Sequence, residues 1–504
     1  MLPKTFRSVW RSILSIHTIT RQCSLLFRVA VLTVLLLISS STSSAQARFV
    51  LGANDLPAWT TDVGSRTVPQ RMRVFSANGF GAKGDGVRNS TKAIQETIDA
   101  CSQTGGGIVT FKPGNYVTGA LFLKSEVNLR LDAGVTLLAS QDDGDYPSIW
   151  TRVAGIEMKW PAALINVNDQ HNVKVSGSGT INGRGDKWWE RYSEARLHYD
   201  ARGLRWAADY DAERVRLMVI WKSTDVTIQN LNLQRSGFWT IQVVYSDHVT
   251  VDGIKITQNA GPSTDGVDVD SSSHVLVENC DIDDDDDDIC LKAGRDADGL
   301  RVNRPTEYVL IRNNTARHGS SIVAFGSETS GGIHDVVVDH NHGIGTSEGI
   351  RFKSARTRGG FVEDVLIRDL TMEKVSQPFT FTLNWNPNYS YATIPRDYRN
   401  VPAAWTVLAT PVLPAERGLC EVRNITFEDI SITGARRIFS VDGLKEKPIA
   451  NVAWRNISAQ GRLVGSIKYA HDWTMNKVRL RTLVSDDLKV SNSENIERPE
   501  ITGP

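Results

Sequence analysis

The 504-residue chain is predicted to be all-β, a parallel β-helix whose short strands wind as stacked turns, capped at its N-terminal end by a short helix. Three observations predict it. A phrase centred on valine recurs at Val173, Val226, Val249, Val275, Val309, Val336, Val365, Val422 and Val452, with steps of 23, 26, 34, 27 and 29 residues from 226 to 365. Each phrase alternates apolar and polar residues and closes on Asn or Asp, as in Thr227-Ile228-Gln229-Asn230, Leu276-Val277-Glu278-Asn279 and Leu366-Ile367-Arg368-Asp369. Ahead of these phrases lies one stretch of helical period. A single turn cannot bury its apolar face alone, so neighbouring turns must share one core. A β-sandwich would need hairpin pairs with two-residue turns, and propeller blades repeat at about 40 residues or more; the drifting period fits neither.

In chain order, Lys4, Arg7, Arg11, Arg21 and Arg28 form a basic region without an acidic residue, followed by the apolar run 29–38 and Ala45-Gln46-Ala47. Residues 1–47 therefore read as a signal peptide, because an apolar run of about ten residues is too short to span a bilayer. The expected mature chain, 48–504, is exported to a secreted or periplasmic location and is mildly acidic. From Ser90, STKAIQETIDAC sets Ile94, Ile98 and Cys101 on one helical face, with Asn89 or Ser90 as cap and Gly105-Gly106-Gly107 as its end. Strands are expected at 108–111, 121–124 and 127–131, with a turn at Pro113-Gly114. Beyond about Lys468 the tail either finishes the solenoid or closes its end.

Composition bounds the function. With 40% hydrophobic and 23% charged residues, the chain can bury a large core, which excludes disorder and a disulfide-stapled miniprotein. Zero formal net charge provides no general field for nucleic acid or an acidic membrane, so neither is an expected partner, and a monomer is expected. Cys101, Cys280, Cys290 and Cys420 fit either two disulfides or buried free thiols, and their spacing makes no zinc pattern. No metal or cofactor is expected.

The densest polar stretch is Ser263-Thr264-Asp265-Gly266, then Asn279 to Asp281 and six aspartates, Asp283 to Asp288, ending at Lys292. Carboxylates fixed on a rigid wall repel one another and raise some of their pKa values, which suits acid/base chemistry. Arg351 and Lys353, at i and i+2, share one strand face and can bind an anionic substrate.

These motifs resemble the polygalacturonases and related pectin hydrolases, glycoside hydrolase family 28. The family signature runs N-T-D, G-D-D, G-H-G and R-I-K, and here the matches are S-T-D at 263–265, D-D-D at 285–287, G-S-S at 319–321 and R-F-K at 351–353. NGRGDKWW at 182–189, SGFWTI at 236–241, KAGRDADG at 292–299 and GSETSGG at 326–332 add support, so the resemblance covers residues 72 to 380. It implies a single-stranded right-handed parallel β-helix, the pectin-lyase-like solenoid, and hydrolysis of α-galacturonosyl linkages in pectic polysaccharide or oligogalacturonides. Counting back six and five residues from Lys292 selects Asp286 and Asp287 from the run. The resemblance then implies Asp286 as general acid, Asp265 and Asp287 as the pair that activates water, and inversion at the anomeric carbon. It implies substrate binding by Arg351, Lys353, Ser263, Lys292 and His318.

Two departures stand out. Ser263 replaces the family's Asn and can still donate and accept a hydrogen bond. The family's histidine position falls on Ser320, with His318 two residues upstream. Either His318 enters the site, since two residues along a strand keep one face, or this chain lacks that histidine, as the rhamnogalacturonan-cleaving branch of the family does. Trp188, Trp189, Trp239 and Trp385 suit either sugar stacking or core packing. The insertion at 187–213 is similar to those of exo-acting members, whose loops close one end of the groove. Alternatives are a rhamnogalacturonan hydrolase of the same family, a pectate lyase holding Ca²⁺ on the aspartates, and a non-catalytic polysaccharide-binding β-helix.

Overall fold

Three strands make each turn of the solenoid. The computed structural model describes residues 56–484 and 487–503, and the expected signal segment 1–47 lies outside the described residues. The sheet that carries the site contains Ile165–Asn168 (β1), Met218–Trp221 (β2), Ile241–Val244 (β3), Val267–Asp270 (β4), Asp287–Lys292 (β5), Ser321–Phe325 (β6), Glu348–Lys353 (β7) and Gln377–Thr382 (β8), each parallel to the next. Two further sheets complete the right-handed parallel β-helix. Among the described residues one antiparallel pair occurs, the hairpin of Ser148–Val153 and Ile156–Pro161 that leans on the site.

The valine phrase is the second sheet. Val173, Val226, Val249, Val275, Val309, Val336 and Val365 pair in direct succession, so the repeat read from sequence is the physical register of the stack. Val422 is a correction: it pairs with Val362, while Ile425 stands opposite Val365 and passes the ladder to Val452. Asn424, left-handed at φ 57°, lies between them and turns both Val422 and Ile425 inward. The Asn and Asp that close the phrases have a structural reason. Asn230, Asn279 and Asp369 take φ of 61°, 56° and 49°, a left-handed bend that their short polar side chains tolerate and that sends the chain into the next sheet.

Stacking repeats the same side chain at the strand spacing of about 4.8 Å. Under β6, β7 and β8 the rings of Phe325, Phe352 and Phe381 stack at 4.5 and 4.4 Å, fully buried. Each contributes about 2 to 3 kcal/mol of burial, which stiffens the wall that holds the polar side chains outside it. The capping helix α1, Thr91–Gln103, buries Ile94, Ile98 and Cys101. Its first turn is capped by Asn89, whose Oδ1 accepts the Thr91 N–H at 2.9 Å. Strands form at Gly107–Thr110, Leu121–Leu123 and Val127–Arg130, and Pro113-Gly114 opens a further strand, Gly114–Thr118. The tail continues the solenoid: Ala470–Thr482 runs parallel to Ile449–Lys468. All four cysteines of the described chain are free and buried.

Candidate active site

Strand alternation fixes which side chains leave the core. In β7 Ile350 and Phe352 point inward with no exposure, so Arg351 and Lys353 point out. Their face, with the corner leading into β5, forms a cleft of about 230 Å³ lined by Ser263, Asp265, Asp286, Lys292, Ser320, Glu328, Arg351 and Lys353. Asp287 lies directly beneath, fully buried, with its carboxylate 2.5 Å from Lys353 Nζ and 3.6 Å from Arg351 Nη1, and it accepts a hydrogen bond from Ser321. Lys292 Nζ sits among three carboxylates, 3.5 Å from Asp265, 3.3 Å from Asp268 and 3.6 Å from Glu328. Anchoring the aspartate run on Lys292 therefore selects the two aspartates that reach the cleft and its cations, while Asp285 points to solvent.

His318 is a correction. It ends the strand Thr315–His318 on another sheet, its side chain is 73% exposed, and its Nδ1 lies 3.0 Å from Asp283. Gly319, at φ 33°, and Ser320 form the corner between sheets, so the same-face rule for a continuous strand does not carry His318 into the cleft. Ser320 occupies that place, and its Oγ accepts a hydrogen bond from Arg351 Nη1 at 2.9 Å.

The charges are unequal in environment. Burial, then the Asp287 carboxylate, pushes the Asp286 carboxyl up. Burial would do the same to Asp287, but the Lys353 ammonium, then Arg351 and Lys292, hold it below the usual carboxylate range. Asp265 is raised well above that range by burial and by the neighbouring Asp268 and Asp286, and burial lifts Asp268 to about 7. Asp287 is thus held towards its ionised form beside carboxyls whose surroundings favour the proton. Such a division between donor and acceptor is what acid/base catalysis requires.

Several site residues carried no periodic signal. Glu328 is buried against Lys292 and Tyr389, and despite its burial Lys292, Arg358, Arg295 and Lys353 lower it to about 2. Arg205 and Asp209, 2.5 Å apart, reach the cleft from the insertion that begins with helix α2, Asp186–Asp200, and Trp385, Asn386 and Tyr389 reach it from a second loop. Fully buried Arg295 ties both segments to the solenoid, donating to the Tyr210 hydroxyl at 2.7 Å and to the Tyr389 carbonyl at 2.8 Å. Its place in KAGRDADG is the one sequence hint of that role. Of the four tryptophans, Trp239 and Trp385 line the cleft, whereas Trp188 is 1% exposed and Trp189 donates to the Ser236 carbonyl.

The family model for glycosyl hydrolases family 28 matches residues 113–395, more than half of the chain and the whole of this cleft. The chain is a member of that family. A rhamnogalacturonase A/epimerase, pectate lyase-like model matches residues 74–142 of this family 28 chain. A probable polygalacturonase of Vitis vinifera is 30% identical over 75% of the chain and 72% of its own length. An exo-poly-α-D-galacturonosidase of Dickeya chrysanthemi is 27% identical over 82% of the chain and 72% of its own. Among solved structures, an exopolygalacturonase from Thermotoga maritima superposes with a TM-score of 0.68 at 24% identity, covering 87% of the chain and 95% of its own, and shares the fold. The family 28 chain is accordingly a glycoside hydrolase.

Proposed function

We propose that the protein is an exported polygalacturonase that releases galacturonate units from the ends of pectic chains with inversion, the mature enzyme being the solenoid domain after residue 47. The observation that carries the reading is the pairing of Asp286, whose carboxyl burial and Asp287 push up, with Asp287, held low by Lys353 and Arg351, at a cleft lined by these two cations. Asp286 protonates the leaving glycosidic oxygen. Asp287 takes the proton of the attacking water, and Asp265 orients that water as a hydrogen-bond partner. Arg351 and Lys353 bind the galacturonate carboxylate through charge-assisted hydrogen bonds, with Ser320 holding the guanidinium and Ser263 lining the cleft beside Asp265. Lys292, ringed by Asp265, Asp268 and Glu328, acts by holding these carboxyl groups in place rather than by gripping the sugar.

End-on action is supported by Arg205 and Asn386, which belong to the two inserted segments and line both the cleft and an adjoining hollow of about 360 Å³. Residues of both segments thus border the cleft, and the relatives that match include an exo-acting galacturonosidase. A second reading, rhamnogalacturonan hydrolysis, is favoured by one observation: Ser320 stands where the family's histidine is expected and His318 lies outside the cleft. No helix among the described residues is long and apolar enough to cross a membrane.

The experiment is a time course of product size on polygalacturonate and, separately, on rhamnogalacturonan oligosaccharides. Early accumulation of mono- or digalacturonate from the first substrate supports the exo-polygalacturonase. A ladder of intermediate sizes contradicts end-on action, and consumption of the second substrate alone moves the enzyme to the rhamnogalacturonan branch.

A further inference from the structure

On the second sheet, the residue before each ladder valine is left-handed, and at two successive turns that residue is a histidine: His248 at φ 54° and His274 at φ 52°. Stacked turns bring their rings face to face at 4.4 Å with 11° between planes. One carboxylate orients both, because Asp247 Oδ2 lies 2.6 Å from His248 Nδ1 and Asp247 Oδ1 lies 2.9 Å from His274 Nδ1. A carboxylate on Nδ1 leaves Nε2 as the ring nitrogen open to a ligand, the arrangement that carboxylates impose on metal-binding histidines. The strap 59–66 lies over this corner, with Gly64 N–H donating to the His274 carbonyl at 2.9 Å and Ser65 N–H to Thr250 Oγ1 at 2.8 Å, and it brings Asp62 to 3.9 Å from His248 Nε2. Arg66, the cation on the strap, is committed to Asp225 at 3.0 Å. His248 is 4% exposed, yet its Nε2 has no hydrogen-bond partner. One ligand atom from each of Asp62, His248 and His274 lies within 4.8 Å of the others, so two imidazoles and a carboxylate converge.

We propose that Asp62, His248 and His274 form a site for a divalent transition ion of the imidazole-preferring class, remote from the catalytic cleft, that fastens the strap to the solenoid. A tetrahedral ion with bonds of about 2.0–2.1 Å sets its ligands roughly 3.4 Å apart, so the side chains close by rotation and the rings open from parallel. Water supplies a fourth ligand.

The test titrates Zn²⁺ into the metal-free full chain at pH 7.5 by calorimetry, alongside Asp62→Ala, His248→Gln and Asp247→Asn. One equivalent should bind, with at least tenfold weaker binding in each variant. Limited proteolysis of the strap should slow when Zn²⁺ is added to the wild type and not when it is added to Asp62→Ala. Asp62 is exposed, so its variant folds whatever His248→Gln does. Zinc binding that is absent, or equal in wild type and Asp62→Ala, overturns the proposal. The second outcome would place the ion on other carboxylates, such as those of the cleft.

Discussion

Replacing Lys353 by Met removes the ammonium 2.5 Å from the buried Asp287 carboxylate and leaves Arg351 at 3.6 Å as the remaining close cation. Stranding a buried charge costs about 3–5 kcal/mol, and the carboxyl escapes part of that cost by taking a proton. At 1.36 kcal/mol per pH unit the full cost corresponds to roughly two to four units, and Arg351 reduces it, so an upward shift of at least about one unit is expected. The sign follows from the native state, in which burial opposes ionisation of Asp287 and the Lys353 ammonium overrules it. Without that ammonium the base is ionised only at higher pH. The acidic limb of kcat/KM on oligogalacturonides should therefore move up by one unit or more. At the optimum, kcat/KM should fall about tenfold to a hundredfold through loss of a charge-assisted contact of about 1.5–3 kcal/mol. Initial rates by reducing-end assay from pH 3 to 8 measure both effects, and circular dichroism checks the fold. An acidic limb unmoved in a folded variant would refute Asp287 as the ionised base.

Asp286→Asn should lower kcat by about 10²- to 10⁴-fold with KM little changed, and the loss should shrink on an aryl galacturonide whose leaving group needs no proton. Loss within tenfold on pectic substrate would remove Asp286 as the acid. Glu328, lowered from an ordinary 4.5 to about 2, contributes about 3 kcal/mol of stability that is present above pH 4.5 and lost as pH falls towards 2. Denaturant midpoints at pH 6 and pH 3 should accordingly differ more in wild type than in Glu328→Gln, and equal differences would contradict the linkage. Arg205→Ala should raise KM for oligogalacturonides about tenfold at constant kcat, as expected of a guanidinium that holds a substrate carboxylate. An unchanged KM would confine Arg205 to pairing with Asp209.

The solenoid was legible because each turn repeats the same inward valine, and stacking turns a sequence period into a register. Val422 misled because two inward residues flank one left-handed Asn424, which sequence does not distinguish from ordinary alternation. The distance to Lys292 singles out Asp286 and Asp287 from six identical residues because β5 runs unbroken from Asp287 to Lys292, and the structure sets Asp286 in the cleft lining and Asp287 against Lys353. Sequence leaves the place of His318 open because a corner, not a strand, separates it from Ser320. Arg205, Asp209 and Tyr389 sit on inserted segments whose position depends on the buried Arg295 link, a long-range contact that leaves no local pattern.

Hydrolysis with inversion by the Asp286 and Asp287 pair fixes the anomeric configuration of the first product. Proton NMR during rapid cleavage of an α-linked oligogalacturonide should show the β-anomer of the new reducing end appearing first, with the α-anomer growing in by mutarotation. Initial appearance of the α-anomer would mean retention and a covalent intermediate, and an unsaturated terminus in place of a new β-anomer would mean elimination; either contradicts the roles given to Asp286 and Asp287.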